Sequence, residues 1–161
     1  NRRVQEEGDR ATPREILAAT LTVLYVQEEE FHVVHIGDSR AYLFREGRFL
    51  QITRDHSVAF DQYWKGAITK DDLRNHPNQN MLTRTVGTSD FVVPDFSDGR
   101  LESGDRFLLC SDGLTKELSD ERIASLLAAE KEPKSASHAL INAANEAGGR
   151  DNTTVVVVDV A

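Results

Sequence analysis

Three aspartates stand where carboxylates can do chemistry. Asp38 lies in Gly37-Asp38-Ser39-Arg40, directly after the apolar stretch 31–36. Asp112 follows Phe107-Leu108-Leu109-Cys110-Ser111 and precedes Gly113. Asp151 lies in Gly148-Gly149-Arg150-Asp151-Asn152, just before Thr153-Thr154 and the valines 155–158. Each carboxylate is therefore expected at a glycine-containing turn against the end of a strand. A carboxylate near apolar surface needs a cation, a donor or water. Anionic oxygen ligands suit hard divalent cations such as Mg2+ or Mn2+. Taken singly, each aspartate reads better as a turn former. Together they predict one ion site, which exists only if the fold gathers these distant positions.

Neighbouring residues take more ordinary readings. Arg40 is expected in a structural ion pair rather than on a phosphate. His56 is expected to hydrogen-bond rather than to transfer protons. Ser111 has no evident base beside it and is not assigned as a nucleophile. His32 and His35 should face opposite sides of a strand, Cys110 belongs in the core, and Trp64 is expected to pack within its own segment.

The elements that must position these residues are legible from pattern. Pro13 after Thr12 suits the start of a helix through Ala19. Thr20–Val26, Phe31–Ile36, Ala41–Phe44 and Arg48–Thr53 read as short strands with short connections, hence as an antiparallel meander. Residues 57–80 lose the period of two, and Phe60, Tyr63, Trp64 and Ile68 recur near helical spacing, as in an irregular or helical insertion. Leu82–Val86 and Phe91–Phe96 read as further strands, followed by a turn at 101–105 and a strand over Arg106–Cys110. Ser119-Asp120-Glu121 resembles a cap for a helix through Ala129. Pro133–Ala147 is a second helix, ended by Gly148-Gly149. The valine-rich Thr153–Val160 is expected as a strand buried on both faces.

Composition narrows the class. A chain of 161 residues with 39% hydrophobic and 29% charged residues fits one domain, or part of one, with a real core. A net charge of −8 without a basic stripe argues against a nucleic-acid surface. One cysteine cannot form an intrachain disulfide and fits a reducing, cytoplasmic compartment. No apolar run approaches the roughly 20 residues that span a bilayer, and no cleavable signal is visible.

Six motifs, in this order, carry a resemblance. They are Gly37-Asp38-Ser39-Arg40, Asp55-His56-Ser57, Asn75-His76-Pro77, the segment from Leu82 to Gly87, the segment from Gly104 to Leu114, and Gly149-Arg150-Asp151-Asn152. Together they resemble the bacterial metal-dependent Ser/Thr protein phosphatases of type 2C (the PPM family). The resemblance implies an α+β fold of two packed antiparallel β-sheets flanked by helices. It implies Asp112 and Asp151 as metal ligands, with Asp38 as ligand of a third, weaker ion site shared with Asp112. Asn152, Gly113, Ser39 and Arg40 would shape that site, and residues 58–80 match the flap beside it. The implied reaction is hydrolysis of phosphoserine and phosphothreonine in phosphorylated protein substrates by a metal-activated water, using two or three Mg2+ or Mn2+ ions, opposite a cognate Ser/Thr kinase.

The resemblance also has a gap. The family's Arg-containing segment and its Asp-Gly-x-Gly-Gly-His segment have no counterpart in this chain. Residues 1–161 are thus expected to form a single partial domain lacking roughly a third of a typical one. Weak or absent activity of this chain alone is expected, along with exposed or re-paired sheet edges. The alternative reading is a catalytically silent phosphatase-like module that binds partners or a cation. A generic cation-binding sandwich explains the aspartates but not the motif order.

Overall fold

The computed structural model describes residues 1–11 and 16–161, and at Arg74 the backbone only. In chain order its elements are α1 (Arg2–Arg10), β1 (Leu21–Gln27), β2 (Glu30–Ile36), β3 (Arg40–Arg45), β4 (Arg48–Gln51), α2 (Val58–Trp64), α3 (Lys70–Arg74), β5 (Asp95–Arg100), β6 (Arg106–Cys110), α4 (Asp112–Glu117), α5 (Asp120–Ala129), α6 (Pro133–Glu146) and β7 (Val155–Asp159). The strands form two antiparallel sheets, ordered β1-β2-β5 and β4-β3-β6-β7.

Strand alternation sorts side chains into two cores. Ala41 and Leu43 of β3, with Phe107 of β6, meet Phe31 and Val33 of β2 between the sheets. Phe31 and Phe107 pack edge to face with centroids 5.0 Å apart, the arrangement that ring quadrupoles favour. Gly99 of β5 makes room there, since a Cβ on it would lie 2.7 Å from the Phe31 ring. The next residues along, Tyr42 and Leu108, point the opposite way. They join Cys110 in a second core under Leu114, Leu118, Ile123, Leu127, Leu140 and Ala144 of the helical layer. Each fully buried Leu or Ile there contributes about 1.5–3 kcal/mol over an exposed one.

The helices start and stop where local chemistry dictates. The Ser119 side chain accepts from the Arg122 amide and caps α5, and Pro133 opens α6. Arg106 closes the other end of α5 by donating to the carbonyls of Leu127, Glu130 and Lys131 while pairing with Asp159. Residues 58–80 do contain helices: Ser57 caps α2, and Thr69 with Asp72 forms a capping box on α3.

Several expectations are corrected. The first four strands are not one meander; β1–β2 and β3–β4 are hairpins of different sheets, and the chain crosses between them at residues 37–39. Leu82–Val86 is not a strand, and of Phe91–Phe96 only Asp95 and Phe96 are, as the start of β5. The former makes only the isolated bridges Ser57↔Leu82 and Ala19↔Val86 among the described residues. The ladder starts at Asp95 because Pro94 has no N–H to give. β7 is an edge strand with Val156 half exposed, so it is not buried on both faces. Trp64 is 65% exposed, its ring covered by the Arg54 guanidinium rather than packed within the insertion. The helix expected from Pro13 through Ala19 begins at positions outside the described residues; Ile16–Ala18 form no helix, and Ala19 bridges to Val86. Among the described residues no helix is long and apolar enough to cross a membrane.

Candidate functional site

Sheet register brings the three aspartate-bearing turns to one end of a sheet. Arg40, Cys110 and Val155 stand side by side across β3, β6 and β7. The turns that enter β3, leave β6 and enter β7 therefore emerge at one end of the sheet. These turns carry Asp38, Asp112 and Asp151 respectively. The Ser111 amide donates to the Thr154 carbonyl at 3.0 Å, and the Ser111 hydroxyl donates to the Asn152 carbonyl at 3.1 Å. The latter two turns are thus stitched together.

Glycine makes that stitching possible. A Cβ on Gly113 would lie 2.4 Å from the carbonyl oxygen of Asn152, so α4 and the Asp151 loop meet backbone to backbone. Gly37, at φ 108, occupies the left-handed region, and a Cβ there would meet the Thr20 side chain at 2.4 Å. Only glycine fits such a bend. Asn152 contributes its main chain: its amide donates to Asp151 Oδ1 at 2.8 Å. Ser39 joins the Asp38 turn to β1 through its hydroxyl, 2.8 Å from that of Thr20, and through its carbonyl, which accepts from Thr22.

α4 is the hub of the arrangement, and its role was not anticipated from sequence. Asp112 begins the helix. Four residues on, the Lys116 ammonium donates to Asp112 Oδ2 and lies 3.5 Å from Asp151 Oδ2. Glu117 receives Arg150 at 2.8 Å and so anchors the same loop. The i,i+4 spacing of Asp112 and Lys116 was a legible signal, hidden because the segment carries too few residues for a visible helical period.

Electrostatics tie in Asp38. Burial, then the Asp112 and Asp55 carboxylates, push its carboxyl up to about 6, while Lys116 acts in the opposite direction. An excess of like charge near a half-buried carboxylate is the condition that a cation relieves. The donor set, hard carboxylate oxygens, fits a divalent ion. Among the described residues, however, no three His, Cys, Asp or Glu side chains converge closely enough to form a ready cage. The ammonium of Lys116 lies between two of the carboxylates instead.

Behind these turns lies a second polar layer. Arg40 forms the structural ion pair expected of it, with Nε 2.8 Å and Nη2 2.7 Å from the buried Asp55 carboxylate, and donates to the Tyr42 hydroxyl at 2.9 Å. Burial alone would lower the Arg40 pKa, but Asp55 more than offsets it. His56 hydrogen-bonds at the base of the 58–80 segment: Nδ1 accepts from the Gly37 amide at 3.1 Å, so Nε2 carries the proton toward Asp95, 3.0 Å away. Arg84 pairs with the same Asp95 at 2.5 Å. The ring of the buried His35 sits 4.8 Å from that of His56, and burial, then the nearby His56, push its pKa down to about 4. His32, as the alternation required, is part exposed. Burial raises the Cys110 thiol to about 12, which leaves it inert.

Two helix-flanked antiparallel sheets, with acidic turns gathered at one end, define the sandwich class of the metal-dependent protein phosphatases. The sequence profile of the protein phosphatase 2C family matches residues 2–145, and the chain belongs to that family. It is similar to the serine/threonine protein phosphatase PstP of Mycobacterium tuberculosis, with 40% identity over 144 residues, 89% of this chain and 28% of that protein. It is also similar to the protein phosphatase PhpP of Streptococcus pneumoniae, with 37% identity over 144 residues, 89% of this chain and 58% of that protein. A crystal structure of the PstP catalytic domain in complex with two manganese ions superposes with a TM-score of 0.89 at 34% identity, over 99% of this chain and 66% of that one. The chain therefore spans less than two thirds of the length of each of these relatives.

Proposed function

We propose that this chain forms part of a phosphatase domain that hydrolyses phosphoserine and phosphothreonine in proteins with the help of divalent metal ions. Asp112, Asp151 and Asp38 are its metal ligands. Gly113, Asn152, Ser39 and Arg40 hold the ligand-bearing turns in place. Residues 58–80 are the flap beside the site, and 1–161 belong to a single domain. The observation that carries this reading is the gathering of the three aspartate turns at one sheet end, where the Asp38 carboxyl feels Asp112 and Lys116 links Asp112 to Asp151.

Held by Asp112, Asp151 and Asp38, Mg2+ or Mn2+ would lower the pKa of a coordinated water enough to supply hydroxide near neutral pH, and would offset charge on the phosphoryl oxygens. The residues of the chain itself orient the ligands. Gly113 lets the Asp112 and Asp151 backbones approach, Ser111 ties the two turns, and the Arg40–Asp55 pair fixes the start of β3 behind Asp38. The proposed substrates are phosphoproteins produced by a cognate Ser/Thr kinase. The proposed compartment is the cytoplasm, in keeping with a single buried free cysteine.

The test is phosphopeptide hydrolysis with Mn2+ by the protein extended to a complete family domain. Turnover that disappears in Asp112→Asn and Asp151→Asn is the expected result. An inactive complete domain, or activity indifferent to both substitutions, overturns the reading.

A further inference from the structure

Lys116 occupies a place that the family resemblance does not account for. Its ammonium is bonded to Asp112 Oδ2 and stands 3.5 Å from Asp151 Oδ2, inside the acidic cluster. Leu114 and Leu118 of the same segment are buried in the helical core, so the backbone under Lys116 is fixed. Only its flexible stem can move. Glu117, the next residue, holds Arg150 at 2.8 Å and receives the Arg150 amide at 3.3 Å. Besides the Ser111 bonds at its start, α4 holds the Asp151 loop by two side-chain ties, a bonded Glu117–Arg150 clamp and a longer Lys116–Asp151 contact. Release of the second leaves the first to hold the loop.

We propose that Lys116 is an internal counter-cation that holds the Asp112 and Asp151 carboxylates together in the ion-free protein and competes with a divalent ion for the same oxygens. The inference rests on the reading of these aspartates as ion ligands. A divalent ion takes carboxylate oxygens at about 2.0–2.6 Å. An ammonium bonded to those oxygens fills the same space and repels the incoming charge. Binding therefore requires the lysine stem to swing away while the Glu117–Arg150 clamp keeps Asp151 in place. Lys116 prevents the two carboxylates from driving each other apart in the ion-free protein, and it raises the ion concentration needed to fill the site.

The experiment is calorimetric titration with Mn2+ of the protein extended to a complete family domain, paired with thermal melts in chelator and in saturating Mn2+. It compares wild type with Lys116→Gln, Lys116→Met and Lys116→Arg. The two neutral variants are expected to bind Mn2+ about tenfold more tightly than wild type, as removal of a like charge requires. They should melt below wild type in chelator and recover in Mn2+. Lys116→Arg keeps the charge and should stay closer to wild type than either. Unchanged or weaker Mn2+ binding in a folded neutral variant, beside a wild type that binds and an Asp112→Asn that does not, overturns this inference alone. Absence of Mn2+ binding and of any Mn2+-induced melting shift in wild type and variants overturns both this inference and the metal-ligand reading. Lys116→Met preserves the stem, so a collapse confined to Lys116→Gln does not blunt the test.

Discussion

Gly37 and His56 hold each other by two hydrogen bonds: the Gly37 amide donates to His56 Nδ1 at 3.1 Å, and the His56 amide donates to the Gly37 carbonyl at 2.8 Å. The turn bearing Asp38 is thereby fixed to the base of the 58–80 segment, and through His56 Nε2 to Asp95. His56→Ala leaves the buried Gly37 amide without its acceptor. It should lower stability by about 1–3 kcal/mol in urea titration. A variant as stable as wild type would show the tie to be idle.

The acid limb of the stability curve should contain two opposed contributions. His35 has a folded pKa of about 4 against 6.5 for the free group. The unfolded chain takes up the proton first as pH falls, so stability is lost between about 6.5 and 4, up to about 3 kcal/mol in total. Asp38 runs the other way: its pKa is raised from 3.8 to about 6, so without metal stability is lost as pH rises through that window. Denaturation of wild type, His35→Gln and Asp38→Asn at pH 4, 5.5 and 7 (about these values) separates the two. Relative to His35→Gln, wild type should weaken toward acid; relative to Asp38→Asn, it should weaken toward neutrality. Parallel curves for all three would refute both assignments.

Arg40 and Asp55 form a mostly buried, bidentate pair. Removal of one member strands the other's charge, so Asp55→Leu and Arg40→Met should each cost about 3–5 kcal/mol. The double variant Arg40→Met/Asp55→Leu should cost less than the sum of the single changes. A double-mutant cycle with no coupling would mean the two side chains act independently.

Gly113→Ala tests the close approach of α4 to the Asp151 loop. The new methyl meets the Asn152 carbonyl oxygen at 2.4 Å, and backbone must move to admit it. We expect a loss of about 1–3 kcal/mol, the usual cost of overpacking, together with weaker Mn2+ binding in titration. Full Mn2+ affinity with lowered stability would show that the spacing of Asp112 and Asp151 is not what the glycine protects.

Local chemistry made much of the architecture legible. β6 runs over Arg106–Cys110 and α5 ends at Ala129, as read, because an apolar run between a glycine turn and a cap needs no distant partner to define it. The six ordered motifs pointed to the family, and three of them held the aspartate turns. Leu82–Val86 misled because its apolar and β-branched residues satisfy strand propensity, yet among the described residues no continuous partner strand lies beside it. Trp64 misled because an aromatic at helical spacing says nothing about which side of a short helix faces solvent.

By itself, the sequence determined most of the elements and the residue types at their ends, since these depend on neighbours a few positions away, but not the short helix α4 or the absence of a strand at Leu82–Val86. The tertiary structure decided which ends meet. Antiparallel register across β3, β6 and β7 brings distant turns to one edge, and it seats the Lys116 ammonium between carboxylates that sequence alone had assigned to ions. Charge balance depends on distance through space, and that distance is set by strand pairing rather than by position along the chain.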